Sequence, residues 1–243
     1  MSEHRGDHCT EVPDNWPTVP AEVHDVAKEL ALQTLVEVGE RGAAERLAAF
    51  YDTESDYAGA SFVDVAPNEW LDVTVADLHA TLLLSVDVGP QATRRLTSPG
   101  AYRRRVLRGL RALPDRDLAA ADAATLLAME EFYRAAKAAM SSASAKNPNP
   151  WVTTSKLCAR KRPELFPVRD NNVCGHLGIL KLDDFRADWL VFRALVQDDE
   201  VRAAIDALPQ LVRAAGNGRL LALDTSRLRL LDAALWTHTV WHR

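Results

Sequence analysis

Apolar side chains recur every three to five positions through most of the chain that follows residue 20. Val23, Val26 and Leu30 begin this pattern, and such spacing places side chains on one face of an α-helix. Gly39 or Gly42 ends this first predicted helix, because glycine commonly follows the last helical turn. Regular structure is therefore expected to begin near residue 21.

The same spacing continues along the chain and is interrupted by capping residues and prolines. Thr74 is predicted to be an N-cap, with Asp77 as its capping-box partner at the third helical position. Thr153 or Thr154 is predicted to cap the helix that Pro163 ends. Further helices are predicted over residues 43–51, 74–88, 99–113, 122–140, 153–162, 184–197, 199–208, 209–215 and 225–242.

Strand signals are almost absent from the sequence. Residues 52–68 form the least regular stretch, and within it only residues 61–65 alternate as a short strand would. The pattern predicts an all-α protein, a multi-helix orthogonal bundle.

The domain organisation follows from composition. Residues 1–20 are polar and contain three prolines, which predicts a flexible N-terminal arm. The segment SSASAKNPNP, residues 141–150, has the composition of a linker. It divides the chain into an N-terminal helical part, 21–140, and a C-terminal helical part, 151–243. We expect the two parts to form one compact domain.

Composition limits the kinds of site that the chain can build. The 243 residues are 47% hydrophobic and 26% charged, as in ordinary globular proteins. The three cysteines are widely spaced and include no CxxC pair, so neither a disulfide framework nor a zinc site is indicated. No metal and no cofactor is expected.

Location and partners are limited by hydropathy and charge. The N-terminus has no apolar run typical of a signal peptide, and no segment has the roughly 20 apolar residues that span a bilayer. A cytoplasmic protein without membrane contact is therefore expected. The net charge of −5 argues against a surface coated in cations, although a local basic face could still bind DNA or a nucleotide.

Two basic clusters could provide such a face. The first contains Lys156, Arg160, Lys161 and Arg162, with Arg169 shortly after them. The second is a run of arginines between residues 94 and 111, in which Arg104 and Arg108 have helical spacing. Both clusters are candidate phosphate-binding surfaces. The alternative for the first cluster is a solvated helix face, in which the cations near a helix C-terminus are favoured by its dipole. The alternative for the second cluster is a solvated helix, or one whose arginines pair with Asp and Glu residues elsewhere in the chain.

Asp170 is the candidate catalytic carboxylate. It follows the extended step that Pro167 imposes, at the point where a new helix can begin. A carboxylate held there, near cations and beside Asn172, could stabilise positive charge or act as a base. The alternative is a purely structural N-cap.

Several stretches carry a resemblance to known families. Residues 156–170 (KLCARKRPELFPVRD), 76–78 and 228–232, together with Trp236, resemble an uncharacterised actinobacterial family known only as a domain of unknown function. The resemblance covers roughly residues 45–240 and implies no activity.

A second, more distant resemblance does imply an activity. Pro167-Val168, Asp170, Asn172-Val173 and Leu177-Gly178 are similar to a loop of the helix-hairpin-helix DNA glycosylases. In that superfamily the aspartate stabilises the cationic sugar that forms as the base leaves, and an upstream lysine attacks the sugar. The resemblance implies a glycosylase-like scaffold, with Asp170 and Lys156 in these roles. The glycine-rich hairpin of the superfamily is replaced here by PWVTT at residues 150–154.

Three functional hypotheses follow. The first is a nucleic-acid or nucleotide-binding protein on a glycosylase-like scaffold. The second is an active enzyme that cleaves N-glycosidic bonds with Asp170 and Lys156. The third is a protein-interaction scaffold in which Lys156 and Asp170 form a buried structural pair. An open cleft between these two residues favours the first two hypotheses, and a closed salt bridge favours the third.

Overall fold

A computed structural model of the chain describes residues 12–141 and 150–241. Within these two ranges the chain forms eleven α-helices and no β-strand, and an isolated bridge joins Asp52 and Leu221. The predicted all-α class is therefore confirmed. The helices are α1 (Ala21–Val36), α2 (Ala43–Phe50), α3 (Val75–Leu82), α4 (Pro90–Thr97), α5 (Ala101–Ala112), α6 (Ala123–Met140), α7 (Trp151–Lys161), α8 (Asn171–His176), α9 (Phe185–Gln197), α10 (Asp199–Gly216) and α11 (Arg227–Trp241).

Side-chain caps fix the start of several helices. The carboxylates of Asp122, Asp170, Asp184 and Asp198 each accept a hydrogen bond from a backbone N–H in the first turn of α6, α8, α9 and α10. The predicted capping box of Thr74 is present at the start of α3. These caps satisfy N–H groups that have no partner within the helix.

The structure corrects several predicted helix boundaries. The short helix α4 begins at Pro90 and was not predicted. Helix α7 begins at Trp151, before the predicted caps Thr153 and Thr154. The segments predicted as two helices, 199–208 and 209–215, form the single helix α10 with Pro209 inside it.

The strand-like alternation at residues 61–65 does not correspond to a strand. A 3-10 helix, Gly59–Val63, occupies most of this stretch. The carbonyl groups of Phe62, Val63 and Val65 accept hydrogen bonds from the Arg160 guanidinium. The Arg160 guanidinium thus satisfies backbone carbonyls that, in a sheet, would accept hydrogen bonds from a neighbouring strand.

The two helical parts share one core. Helix α2 packs against α10 and α11, and α1 packs against α9, α10 and α11. Across the predicted linker, most of which lies outside the described residues, α6 packs against α7. The buried apolar side chains of both parts belong to one continuous cluster.

The described portion of the predicted N-terminal arm packs against this core. Residues 1–11 lie outside the described part of the chain, and residues 12–20 precede α1. Within them, Trp16 is buried, and its indole N–H donates to Glu130 of α6 at 2.8 Å. Its ring lies 6.0 Å from that of Trp189 in α9. Residues 12–20 are therefore held in place by an aromatic anchor.

Across residues 12–141 and 150–241, every helix is too short or too polar to cross a lipid bilayer.

Candidate functional site

The first basic cluster lies inside the protein. The side chain of Arg160 in α7 is fully buried, and its Nε donates to Asp77 Oδ1 at 3.1 Å. Its terminal nitrogens donate to backbone carbonyls between residues 62 and 67, including that of Phe62 at 2.8 Å. The guanidinium therefore fixes the irregular segment that precedes α3.

Lys161 and Arg162 are buried beside it. The Lys161 ammonium donates to Asp77 Oδ2 at 3.1 Å and to the carbonyl of Glu69 at 2.7 Å. Arg162 donates to the carbonyl of Trp70 at 2.8 Å, and its guanidinium lies 3.6 Å from the centre of the Trp70 ring. Burial lowers the pKa of both cations, that of Arg162 to about 10.

Arg169 is also enclosed. Its Nε donates to Asp188 at 2.8 Å, a terminal nitrogen donates to Asn171, and its guanidinium lies 4.0 Å from the centre of the Trp151 ring. Burial raises the pKa of Asp188 to about 6 against the opposing effect of this arginine.

The interpretation of the first cluster as a solvated face is therefore wrong. Arg160, Lys161, Arg162 and Arg169 are all buried. Their hydrogen-bond donors are directed at carbonyls and carboxylates of the protein, which is how buried charge is normally compensated. In this structure the four side chains do not present a surface to a nucleic acid.

Lys156 and Asp170 line one cavity. The cavity has a volume of about 420 Å³, within the range of small-molecule sites. Helix α7 contributes Lys156, and the start of α8 contributes Asp170 and Asn172. No ion pair within 4 Å joins Lys156 to Asp170 in the described structure. Lys156 and Asp170 therefore line an open cleft and do not form a closed salt bridge.

Lys156 is held with its amine at the cavity wall. The side chain is largely buried, and Nζ donates to the carbonyl of Leu84 at 2.6 Å. Burial lowers its pKa, and the negative charge of Asp170 partly opposes this effect. The neutral amine, which is the nucleophilic and basic form, is therefore more accessible than for a lysine in water.

Asp170 combines a structural role with one available oxygen. Its Oδ1 accepts a hydrogen bond from the backbone N–H of Asn172 at 2.8 Å. Oδ2 has no hydrogen-bond partner among the described residues. The predicted N-cap is thus present, and the same residue lines the cavity.

Aromatic side chains form another part of the cavity lining. The rings of Tyr57 and Trp236 stack with their centres 5.5 Å apart and an interplanar angle of 23°. Phe50 lies 5.2 Å from Tyr57 and 6.0 Å from Trp236. A side chain at Gly59 would meet the Tyr57 hydroxyl at 2.0 Å, so glycine is needed there to seat this ring.

Arg229 and Asp232 of α11 complete the polar lining, and sequence reasoning did not assign them to the site. Asp232 Oδ2 accepts hydrogen bonds from Arg229 at 3.0 Å and from the backbone N–H of Val168 at 2.8 Å. Its Oδ1 is buried and has no partner among the described residues. Burial raises the pKa of Asp232 to about 7. The motif at 228–232 marked these positions only as part of the family resemblance.

The second basic cluster is exposed in part. Arg95 and Arg103 are half-buried, and Arg103 forms an ion pair with Asp72 at 2.6 Å. Arg104 and Arg108 lie on the surface of α5, and their guanidinium groups have no partner among the described residues. Neither residue lines the cavity of Lys156 and Asp170. The two basic clusters therefore do not form one surface, although Arg162 of the buried cluster donates to the Leu110 carbonyl of α5.

The structure contains another cavity of similar size, about 430 Å³. It is lined by the carboxylates of Asp117, Glu164, Asp206 and Asp224, and the predicted site residues do not line it. Within residues 12–141 and 150–241, no cluster of three or more histidine, cysteine, aspartate or glutamate side chains has the arrangement of a metal site. A further cavity of about 420 Å³ is lined by Asp14, Trp16 and Arg193. The cavity of Lys156 and Asp170 differs from both in holding the stacked Tyr57–Trp236 pair beside two cations and two carboxylates.

Comparison with known proteins identifies the family and no activity. No curated protein and no solved structure matches the chain. Residues 43–239 match a family described as a family of unknown function, DUF6308. Because this match covers most of the sequence, the chain belongs to the DUF6308 family.

Proposed function

We propose that the cavity binds one nucleotide unit of DNA, base and sugar together, on a scaffold like that of the helix-hairpin-helix glycosylases. The observation that carries the proposal is the convergence of Lys156, Asp170 and the Tyr57–Trp236 pair on one cavity of about 420 Å³. Lys156 and Asp170 are the positions to which the glycosylase resemblance assigns a function.

The aromatic wall suits a nucleobase. Stacking of a base on an aromatic side chain is worth roughly 1–3 kcal/mol, and enzymes that act on bases extrude them into pockets of this kind. Tyr57 and Trp236 are fixed by their contacts with each other and with Phe50. The rings are therefore held in place before a ligand arrives, which lowers the entropic cost of binding.

The polar lining suits a neutral ligand with both donors and acceptors. Lys156 and Arg229 supply hydrogen-bond donors, and the side chains of Asp170 and Asp232 supply acceptors. A strongly anionic group would meet two carboxylates inside the cavity. A base and its sugar, without their phosphates, present the matching hydrogen-bond groups.

Binding to two fluorescent DNA duplexes tests the proposal. One duplex is fully paired, and the other contains a single mispaired base, which costs less to extrude. We expect the wild-type protein to prefer the mispaired duplex by roughly tenfold, the factor that corresponds to about 1.4 kcal/mol of stacking and contact energy. Trp236→Ala and Asp170→Asn should lose this preference.

Asp198→Asn is the matched control for Asp170→Asn. Asp198 caps α10 as Asp170 caps α8, and it lies outside the cavity. Asparagine retains the capping function in both variants. The proposal would be refuted if the wild-type protein bound both duplexes with equal affinity and Trp236→Ala left these affinities unchanged. The protein-interaction hypothesis would then remain.

A second candidate function is cleavage of the N-glycosidic bond, and the lowered pKa of Lys156 favours it. In this reaction the Asp170 carboxylate stabilises positive charge at the sugar C1′ as the C–N bond breaks. Water adds to C1′ and gives its proton to the neutral Lys156 amine. The base leaves with the electron pair of the broken bond and finally takes up that proton, so the net reaction is hydrolysis.

Release of free base from the mispaired duplex measures this activity. Asp170→Asn should reduce the rate by roughly 100-fold or more, as expected when a group that acts in the transition state is removed. Asp198→Asn should retain the wild-type rate. Binding with no base release in the wild-type protein would exclude this function and retain the binding proposal.

A further inference from the structure

The outer face of α4 and α5 carries arginines that the protein does not neutralise. Their side chains are exposed, and within residues 12–141 and 150–241 none has an acidic partner. They are Arg94, Arg104, Arg105, Arg108 and Arg111. Among the other exposed arginines, Arg202 and Arg227 pair with Asp199 and Asp206, whereas Arg41 and Arg213 are single cations without an acidic partner among the described residues. This basic face stands out in a chain whose net charge is −5.

The basic face is regular and rigid. Arg104, Arg108 and Arg111 follow one another at helical spacing, so they lie on one side of α5 and span about 10 Å of its axis. The opposite side of α5 is anchored in the core through Val106 and Leu110. The arginines therefore project from a fixed support.

We propose that this basic face binds the phosphate backbone of duplex DNA. The inference rests on the proposed function, since DNA would also supply the nucleotide that enters the cavity. Guanidinium groups bind phosphate oxygens in a bidentate manner and are the usual protein ligands for closely spaced phosphates. Neutralisation of DNA phosphates by such a face releases counterions, which drives association.

The chemistry of the face argues against an anionic membrane as its partner. A helix that lies on a membrane exposes apolar side chains beside its cations, whereas the apolar side of α5 is buried in the core. The exposed side of α5 carries Arg104, Arg105 and Arg108 instead.

The chain also limits the distance between the face and the cavity. Leu84, Ser85 and Val86 line the cavity, and α4 begins four residues later at Pro90. Four extended residues and one helical turn place Arg94 within about 20 Å of Val86. This is about six base pairs of a duplex, so the separation of Arg94 from the cavity is within the length of a short duplex.

A triple variant tests the inference. Arg104→Ala, Arg108→Ala and Arg111→Ala are combined, and binding to the fully paired duplex is measured by fluorescence anisotropy between 50 and 200 mM salt. The control combines Arg41→Ala, Arg213→Ala and Arg219→Ala, three exposed arginines away from α4 and α5. Both variants lose three positive charges, and the control also loses the ion pair of Arg219 with Asp52, whose atoms are 3.6 Å apart. Because all six side chains are exposed, both variants should retain the wild-type helical signal in circular dichroism.

The expected result is a loss of affinity of roughly tenfold or more in the α5 variant at 50 mM salt. Its slope of log affinity against log salt should be smaller by about three, one for each arginine removed. The control should retain the wild-type slope. Equal slopes for the two variants, or wild-type binding that is insensitive to salt, would overturn the inference.

The measurement separates this inference from the proposed function. Loss of affinity in the α5 variant with an unchanged preference for the mispaired duplex places phosphate contacts on α5 and base contacts in the cavity. DNA binding through α5 without any such preference in the wild-type protein supports the basic face and refutes the nucleotide cavity.

Discussion

At the scale of single residues, one carboxylate compensates two buried cations. Asp77 is fully buried, and its two oxygens lie 3.1 Å from Arg160 Nε and Lys161 Nζ. The same side chain accepts the backbone N–H of Thr74 in the capping box of α3. Its charge therefore couples α3 to α7, and without it two cations would remain buried and uncompensated.

Asp77→Asn should lower the free energy of unfolding by roughly 3–5 kcal/mol. Removal of one member of a buried ionic group has a cost of this size, because the remaining charge stays desolvated. Urea denaturation followed by circular dichroism measures the change. Asp206→Asn, which breaks the exposed pair with Arg227, should cost less than about 1 kcal/mol. Similar losses in the two variants would contradict the role given to Asp77.

The burial of these cations could not be predicted from local sequence. The four cations at 156–162 resemble a surface patch, because an isolated buried charge is strongly disfavoured. The groups that compensate Arg160 lie 83 to 98 residues earlier in the chain. By contrast, the N-cap role of Asp170 follows from its immediate neighbours and was predicted.

Asp232 should make stability depend on pH. Its pKa is raised to about 7 in the folded protein, whereas an unfolded aspartate has a pKa of about 3.9. Between these values the folded state holds a proton that the unfolded state has released. The free energy of unfolding therefore falls as pH rises from about 4 to 7, and the loss is complete above pH 7.

This contribution should be absent from Asp232→Asn. As the pH rises from 5 to 8, the wild-type free energy of unfolding should therefore fall by more than that of the variant. The difference between the two proteins should shift in favour of the variant by at least about 1.4 kcal/mol, the equivalent of one pKa unit. Urea denaturation at both pH values gives the difference. Asp122→Asn is the control, because hydrogen bonds from Thr125 lower the pKa of Asp122 to about 2, below this window. If the difference in free energy of unfolding between Asp232→Asn and the wild-type protein were the same at both pH values, the raised pKa of Asp232 would be excluded.

At the scale of elements, the contact between α5 and α6 depends on a glycine. A side chain at Gly109 would place its Cβ 2.9 Å from Phe132 Cα and 3.2 Å from Phe132 N. These are backbone atoms of α6, which cannot move as a side chain can. The close approach holds the basic helix α5 against the core.

Gly109→Ala should therefore destabilise the protein by about 1 kcal/mol. Alanine favours the helical conformation by up to about 1 kcal/mol, but overpacking costs about 1–3 kcal/mol. Gly175→Ala in α8 is the matched control, because no atom lies within 4 Å of its added Cβ. The control should gain stability. A gain in both variants, measured by thermal or urea unfolding, would show that α5 and α6 separate at little cost.

Most helices could be predicted because spacing and caps are local signals. The predicted helix at 122–140 is observed as α6, Ala123–Met140, with Asp122 as its cap. Helix α4 was missed because its eight residues bury only two side chains, Ala92 and Leu96. Helix α10 continues through Pro209 because Ile205, Leu208 and Val212 form one buried stripe across it, and this packing outweighs the local cost of the proline.

At the scale of the whole molecule, the choice of helix partners could not be predicted. Periodicity shows which side of a helix is buried but not what covers it. The cavity depends on this choice, since Tyr57 follows α2 whereas Trp236 belongs to α11. Lys156 and Asp170 were proposed as a site from the sequence, but the aromatic wall became visible only when distant helices were placed together.

Because the two helical parts share one core, we expect the described part of the chain to unfold as one unit. A substitution near its beginning should therefore destabilise the whole. Trp16 joins the segment before α1 to Glu130 of α6 and Trp189 of α9. Trp16→Ala should lower the global free energy of unfolding by about 3 kcal/mol, the lower end of the cost of removing a buried tryptophan. Circular dichroism and tryptophan fluorescence should still give coincident urea transitions, the sign of two-state unfolding.

Val12→Ala, an exposed position in the same segment, should change stability by less than about 0.5 kcal/mol. If Trp16→Ala left the helical transition in place and shifted only the fluorescence, the segment would be a local attachment. A common shift of both signals would instead show that residues 12–20 belong to the same cooperative unit as the helices that form the cavity.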